Sequence, residues 1–267
     1  MKRYDGYLLP VMWIFLLLIA ASSCSVVGDS GTQDPIDWEN GESIVPANDE
    51  LLSDEQRASY LEDAEKLAVR HINERDSTQA EIPQELVDLF YNGLVHIALS
   101  DHAKAEEATE THQVHARMPA NPREIIVQAD TTAEWIDAWR NGVTETGNAD
   151  LDDLIEQFNF TLVEYRELEY VLPAAIATLR SDRAINGHAV GRLFAKHEDI
   201  ESAGYDLVTD GSDIRVTLFS DHLQYTFEYG FGDCPAGCIG NHRWHFEVYK
   251  DGDVVFAGEE GDPLPEE

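Results

Sequence analysis

The chain has 267 residues, of which 52 are acidic and 18 are basic, so its formal net charge is −34 at pH 7. This balance argues against nucleic-acid binding, because too few cations are available to neutralise phosphates. Since 43% of the residues are hydrophobic, the composition also argues against a wholly disordered chain and predicts a folded core.

Residues 1–23 have the pattern of a bacterial signal peptide. Lys2 and Arg3 supply positive charge, and residues 7–21 form an uncharged apolar run that is short for a membrane-spanning helix. Small residues then precede Cys24. The Ala-Ser-Ser-Cys sequence resembles the lipobox of bacterial lipoproteins, although Ala21 stands where leucine is usual. This resemblance implies cleavage before Cys24 and attachment of lipid to that cysteine.

The resemblance also implies a location in the cell envelope. Ser25, rather than aspartate, follows Cys24, and in Gram-negative lipoproteins this favours the outer membrane. Residues 24–50 are rich in Gly, Ser, Asp, Asn and Pro, which predicts an acidic flexible tether between the lipid and the domain. An uncleaved N-terminal anchor with an incidental cysteine is the alternative interpretation.

Residues 51–267 are predicted to form a single α+β domain whose helices lie at about 51–200. Ser53 with Gln56 makes a capping box at the start of the first helix, and Pro83 begins the second. The polar stretch 101–118 is expected to be a loop or a frayed helix. Thr131 with Glu134 predicts another capped helix, and Asn148 a further one. Residues 187–197 could form one more short helix.

Strands are predicted mainly at the C-terminal end of the domain. Residues 123–128 form a short β-branched run, and strand-like sequence follows Phe160. From about Tyr205 the hydrophobic pattern alternates, which predicts an antiparallel meander of about four strands at 201–260. Asp251-Gly252 is a strong hairpin signal between the last two strands.

The segment 230–245 concentrates unusual residues between two predicted strands. A structural disulfide between Cys234 and Cys238 is the leading interpretation, because an exported protein folds in an oxidising compartment. A metal site formed by Cys234, Cys238, His242 and His245 is one alternative. If the two histidines lie on one strand, however, their spacing of three places them on opposite faces. Redox exchange at the cysteine pair, with a nearby histidine lowering a thiol pKa, is the other alternative.

Other polar and aromatic groups are predicted to be structural or solvated. Trp135 and Trp139 are expected in the core, and His112 and His115 in solvent. The sequence 210–213, Asp-Gly-Ser-Asp, is expected to be a turn rather than a calcium loop. The sequence contains no serine-hydrolase elbow, phosphate-binding loop or dinucleotide-binding glycine motif, so no cofactor is expected.

Acidic residues are spread along the whole chain, and only five of the 18 basic residues are lysines. This composition resembles that of proteins from halophiles, whose self-repulsion is screened by molar salt. A cationic or protein partner is the alternative. The sequence therefore predicts a membrane-anchored envelope lipoprotein with a non-enzymatic binding or structural role. The alternative function is a small redox or metal-binding envelope protein that uses Cys234, Cys238 and His242.

Overall fold

The computed structural model describes residues 43–168, 174–206 and 208–265. Cys24 and the predicted signal peptide lie outside the described residues. Within the described part, the longest helices come first, and the last four strands form a meander. The fold is therefore α+β, as the sequence predicts.

Six α-helices occur in the described residues: α1 (Asp54–Arg75), α2 (Gln84–Ala98), α3 (Ala103–Glu106), α4 (Ile136–Arg140), α5 (Ala149–Gln157) and α6 (Gly187–Phe194). The capping box of α1 is confirmed, because the Ser53 hydroxyl accepts from Gln56 N at 3.2 Å and Gln56 Oε1 accepts from Ser53 N at 2.9 Å. Asn148 likewise caps α5, since its side chain accepts from the N–H groups of Asp150 and Leu151. These local signals fix where both helices begin.

Eight strands form two antiparallel sheets within the same ranges. The first sheet has the order β2-β3-β1-β4 and comprises β1 (Glu124–Ala129), β2 (Thr161–Leu168), β3 (Ala174–Arg180) and β4 (Ile200–Gly204). The second sheet is the predicted meander of β5 (Asp213–Leu218), β6 (His222–Phe231), β7 (Gly240–Tyr249) and β8 (Val254–Gly261). Its last hairpin turns at Gly252, whose φ of +89° is a conformation that glycine adopts readily.

Two hydrophobic cores are built by different parts of the chain. In the first core, α1 and α2 pack against the meander, and Phe90, Tyr225 and Trp244 are fully buried. The second core lies between the first sheet and the helices α4, α5 and α6, and it contains Trp139 and Phe158. The buried residues of the second core all lie within 124–204. The first core is built mainly by residues before and after that range.

The first sheet lies inside the range that was predicted to be mainly helical. Its third strand reads Ala-Ala-Ile-Ala-Thr-Leu-Arg, and alanine carries little strand preference. The small side chains of Ala175 and Ala177 are nevertheless buried in the second core. Tertiary packing therefore decides the conformation here, where local preference does not.

The predicted helix start at Thr131 is wrong. Asp130 accepts from both the backbone N–H and the hydroxyl of Thr132, at 2.7 Å each, which forms an Asx turn instead of a capping box. The helix α4 begins only at Ile136. Both predicted core tryptophans are buried, and their rings meet edge to face at 4.9 Å.

The end of the predicted tether is part of the domain. Ile44 is buried in the first core, and Val45 N donates to Lys250 O at 2.9 Å. The polar stretch 101–118 also has structure, because α3 continues into a π-helical turn at Glu107–Thr111. A π-helical turn spaces side chains differently from an α-helix, and His112 follows it directly.

Candidate binding site

The predicted cysteine pair lies on the connection between β6 and β7. Cys234 and Cys238 form a disulfide, with their Cα atoms 3.8 Å apart. Residues Cys234–Ala236 form a 3₁₀ turn, and Gly237 follows with a φ of +124°. The bridge therefore closes a small ring at the end of a long hairpin.

The two histidines that follow do not join the cysteines. His242 is buried and its Nδ1 lies 2.9 Å from Asp262 O, whereas His245 is part-exposed and its Nδ1 lies 3.0 Å from Thr226 Oγ1. Burial alternates along β7, so the two side chains lie on opposite faces of the sheet, as their spacing predicts. Among the described residues, no group of three or more His, Cys, Asp or Glu is arranged to hold a metal ion. The structure thus does not assemble the four predicted ligands.

Two histidines that were predicted to be solvated are in contact with the protein. The ring of His112 lies 4.3 Å from that of Tyr229 and 5.5 Å from that of Trp244, measured between centroids. The Nδ1 atom of His115 lies 2.7 Å from Asp63 Oδ2. His115 remains 44% exposed, so it is solvated in part, whereas His112 is half-buried against the meander because Val114 and Ala116 of the same stretch pack in the first core.

Sequence patterns did not reveal a cleft of about 420 Å³ between α1, residues 117–118 and β5. Three arginines line it, namely Arg70 from α1, Arg117 from the connecting segment (residues 112–123, between the π-helical turn and β1) and Arg215 from β5. The chain has 13 arginines, since five of its 18 basic residues are lysines. Nearly a quarter of its arginines therefore converge on one cleft.

Asp213 holds this arrangement together at the start of β5. Its carboxylate is buried, and Oδ2 accepts from Arg70 Nη1 at 2.8 Å while Oδ1 accepts from the backbone N–H of Arg117 at 2.9 Å. Arg70 also donates from Nη2 to Ile214 O. The Nε atom of Arg215 lies 3.8 Å from Asp213 Oδ2. One buried carboxylate thus joins α1, the connecting segment and β5.

The Arg117 side chain continues this network away from Asp213. Its Nη1 donates to Thr209 O at 3.1 Å and to Asp210 Oδ1 at 2.6 Å. The other oxygen, Asp210 Oδ2, accepts from the backbone N–H of Cys238 at 3.1 Å. The N–H groups of Cys238 and Gly211, followed by Arg117, lower the pKa of Asp210 and favour its carboxylate form. Asp210 therefore links the arginine cleft to the disulfide ring.

The residues that line the cleft carry a small net positive charge. Three arginines outnumber two carboxylates, Glu74 and Asp213, by one. Burial, with a smaller contribution from Arg75, lowers the pKa of His71 from 6.5 to about 4, so this imidazole is neutral at pH 7. In a chain of net charge −34, a cleft lined by three arginines is a candidate site for a negatively charged group, although Asp210, outside the lining, pairs with Arg117.

The cleft also offers a guanidinium and apolar surface. The side chain of Arg215 is 64% exposed, whereas the Nε atoms of Arg70 and Arg117 are buried and have no hydrogen-bond partner among the described residues. Leu67, Met118 and Val216 are the apolar residues of the lining, and Met118 is 46% exposed. The arrangement therefore combines guanidinium donors with hydrocarbon, as small-molecule sites commonly do.

Comparison with protein-family models, with curated proteins and with solved structures finds no match to this chain. In the part of the chain that the structure describes, none of the helices has the length and apolar character needed to cross a bilayer. The functional argument therefore depends on the geometry of the cleft.

Proposed function

We propose that the domain is a non-enzymatic binding module for a small carboxylate ligand, and that an exported lipoprotein carries it on a tether from Cys24. The convergence of Arg70, Arg117 and Arg215 on one cleft is the observation that supports the binding role. A guanidinium is planar and always charged, and its paired N–H groups match the two oxygens of a carboxylate. The apolar side chains beside the arginines would contact the hydrocarbon part of such a ligand.

The proposed role is limited to binding, because the three arginines supply charge and hydrogen bonds but no group that would cleave a bond. For a probe of about 13 non-hydrogen atoms, such as citrate, a typical efficiency of about 0.3 kcal/mol per atom corresponds to a Kd on the order of 1 mM. The natural ligand would bind more tightly if it filled more of the cleft. The affinity should fall as salt increases, because part of it is electrostatic.

The test is a titration of the oxidised protein with citrate, followed by ¹H–¹⁵N NMR at constant ionic strength. Arg215 is the residue to replace, because 64% of its side chain is exposed and its loss should leave the fold intact. We expect Arg215→Gln to raise the Kd about fivefold or more, through loss of a charge-assisted hydrogen bond. Arg166→Gln, at an exposed position on β2, is the matched control and should leave the Kd unchanged.

A second variant tests the charge of the cleft from the opposite direction. Glu74→Gln removes a carboxylate from the cleft wall and should lower the Kd for citrate. The proposal would be overturned if 10 mM citrate moved no resonance of the cleft residues. It would also be overturned if Arg166→Gln and Arg215→Gln weakened binding equally.

The tether is tested separately in a Gram-negative host. Cys24→Ser should abolish labelling by palmitate and release the protein from the membrane fraction, whereas Cys234→Ser should remain labelled. Ser25→Asp should move the lipoprotein from the outer to the inner membrane. Labelling that survives in Cys24→Ser would refute lipid attachment at this residue.

A further inference from the structure

The disulfide ring and the arginine cleft share a carboxylate. Asp210 accepts from Cys238 N with one oxygen and from Arg117 Nη1 with the other, at 3.1 Å and 2.6 Å. The backbone N–H of Arg117 is bound in turn to Asp213, which also holds Arg70. A continuous series of hydrogen bonds therefore runs from the disulfide ring to two of the three arginines in the cleft.

We infer that the Cys234–Cys238 disulfide is a redox switch that controls how tightly the arginine cleft binds its anionic ligand. This inference rests on the proposed binding function and adds regulation to the same site. In the oxidised state the bridge fixes the position of the Cys238 N–H, which fixes Asp210 and through it the Arg117 guanidinium. The oxidised protein is therefore the state with the preorganised cleft.

The reductant that the switch requires is a dithiol, for example one carried by another envelope protein. A thiolate of the dithiol attacks one Sγ atom, the bond between Cys234 and Cys238 breaks, and the second thiol of the reductant resolves the mixed disulfide. Two electrons and two protons pass to the cysteine pair, which becomes two thiols, while the dithiol becomes a disulfide. Both cysteines are part-exposed, and the neighbouring Ile239, 80% exposed, offers an apolar contact for a protein reductant.

Reduction opens the ring and leaves Cys238 joined to Cys234 only through the flexible backbone of residues 235–237. Gly237 lies directly before Cys238 and already has a φ of +124°, so the opened loop gains many backbone conformations. The Cys238 N–H then spends less time on Asp210. Arg117 loses the fixed orientation of its partner. Part of the binding free energy is then used to order its side chain, because ordering lowers its conformational entropy. The reduced protein should bind more weakly.

The experiment compares the Kd for citrate of the full chain before and after treatment with dithiothreitol, with complete reduction verified by mass spectrometry. We expect a three- to tenfold higher Kd after reduction. The double variant Cys234→Ser/Cys238→Ser should show the weaker affinity with or without dithiothreitol. The single variant Asp210→Ala should have one affinity in both redox states, because it removes the link.

A readout without ligand separates this inference from the proposed function. The Nε–H resonance of Arg117 should shift on reduction of the wild-type protein but not of Asp210→Ala. If the oxidised protein fails to bind citrate, the proposed function is overturned. If citrate binds but its Kd and the Arg117 resonance are the same in both redox states, the switch alone is overturned.

Discussion

The imidazole of His115 is hydrogen-bonded to the buried carboxylate of Asp63, with 2.7 Å between Nδ1 and Oδ2. The other oxygen of Asp63 accepts from the backbone N–H of Ala116 at 2.8 Å. Asp63 is only 2% exposed, so its charge needs both partners. Two adjacent residues of the connecting segment thus bind buried carboxylates on different elements, because Ala116 N donates to Asp63 on α1 and Arg117 N donates to Asp213 on β5.

The His115–Asp63 hydrogen bond should make stability fall as the pH rises. This hydrogen bond raises the pKa of His115 above its ordinary value of 6.5. Its stabilisation is therefore fully present below about pH 6.5 for as long as Asp63, whose pKa burial raises above 3.8, is ionised, and it is lost as the pH rises through the higher pKa of His115 in the folded state. We expect His115→Gln to lower the free energy of unfolding by about 1 kcal/mol at pH 5.5 and by less at pH 9, measured by urea denaturation. His188→Gln, at an exposed histidine, is the control, and an equal loss in both variants at both pH values would contradict the prediction.

His71 should show the opposite dependence on pH. Burial lowers its pKa to about 4, so the unfolded chain binds a proton more readily than the folded one. Stability is therefore lost as the pH falls from about 6.5 through 4. His71→Gln should reduce the stability lost in acid by about 1–2 kcal/mol, because the imidazole is only half-buried and solvent screens part of the effect. The check is the difference in the free energy of unfolding between pH 7 and pH 4.5, which should shrink in the variant.

Local signals account for the parts of the fold that the sequence predicted. The Ser53 capping box, the Asn148 cap and the alternating pattern of the meander each depend on neighbouring residues, and each is confirmed. The alanine-rich β3 lacks such a signal, because its place in the sheet depends on packing against helices elsewhere in the chain. The strand β3 could not be predicted for this reason, whereas β1 and β2 lie where the sequence predicted strands, at 123–128 and after Phe160.

The arginine cleft was missed because it depends on contacts between distant residues. Arg70 and Asp213 are 143 positions apart and meet only because α1 packs beside β5. Asp210 and Asp213 were predicted to belong to a turn, but Asp213 starts a strand and both carboxylates bind arginines. The scarcity of basic residues in an acidic chain was the one available signal, but composition does not show which arginines meet in the folded chain.

The close approach of α6 to β4 should make Gly191 sensitive to substitution. A Cβ atom at this position would overlap the carbonyl oxygen of Ala203, and a backbone atom cannot move aside as a flexible side chain can. Gly191→Ala should lower the free energy of unfolding by about 1–3 kcal/mol despite the better helix preference of alanine. Gly142→Ala is the comparison, because its Cβ would meet open space and its cost of about 1 kcal/mol arises only from a φ of +75°. Thermal unfolding that ranks Gly142→Ala as the more damaging change would contradict this packing argument.

The high negative charge predicts that the domain is more stable in concentrated salt. The chain carries a net charge of −34, and at molar salt the repulsion between exposed carboxylates is screened beyond about 3 Å. We expect the Tm to rise by about 5–15 °C between 0.1 M and 3 M NaCl, which corresponds to a few kcal/mol for a domain of this size. A triple variant, Glu106→Gln/Glu156→Gln/Glu198→Gln, neutralises three exposed carboxylates and serves as the matched control. It should melt higher than the wild type at 0.1 M NaCl and gain less from added salt. A Tm that does not respond to NaCl would refute the interpretation of the charge as adaptation to salt and would favour a cationic partner instead.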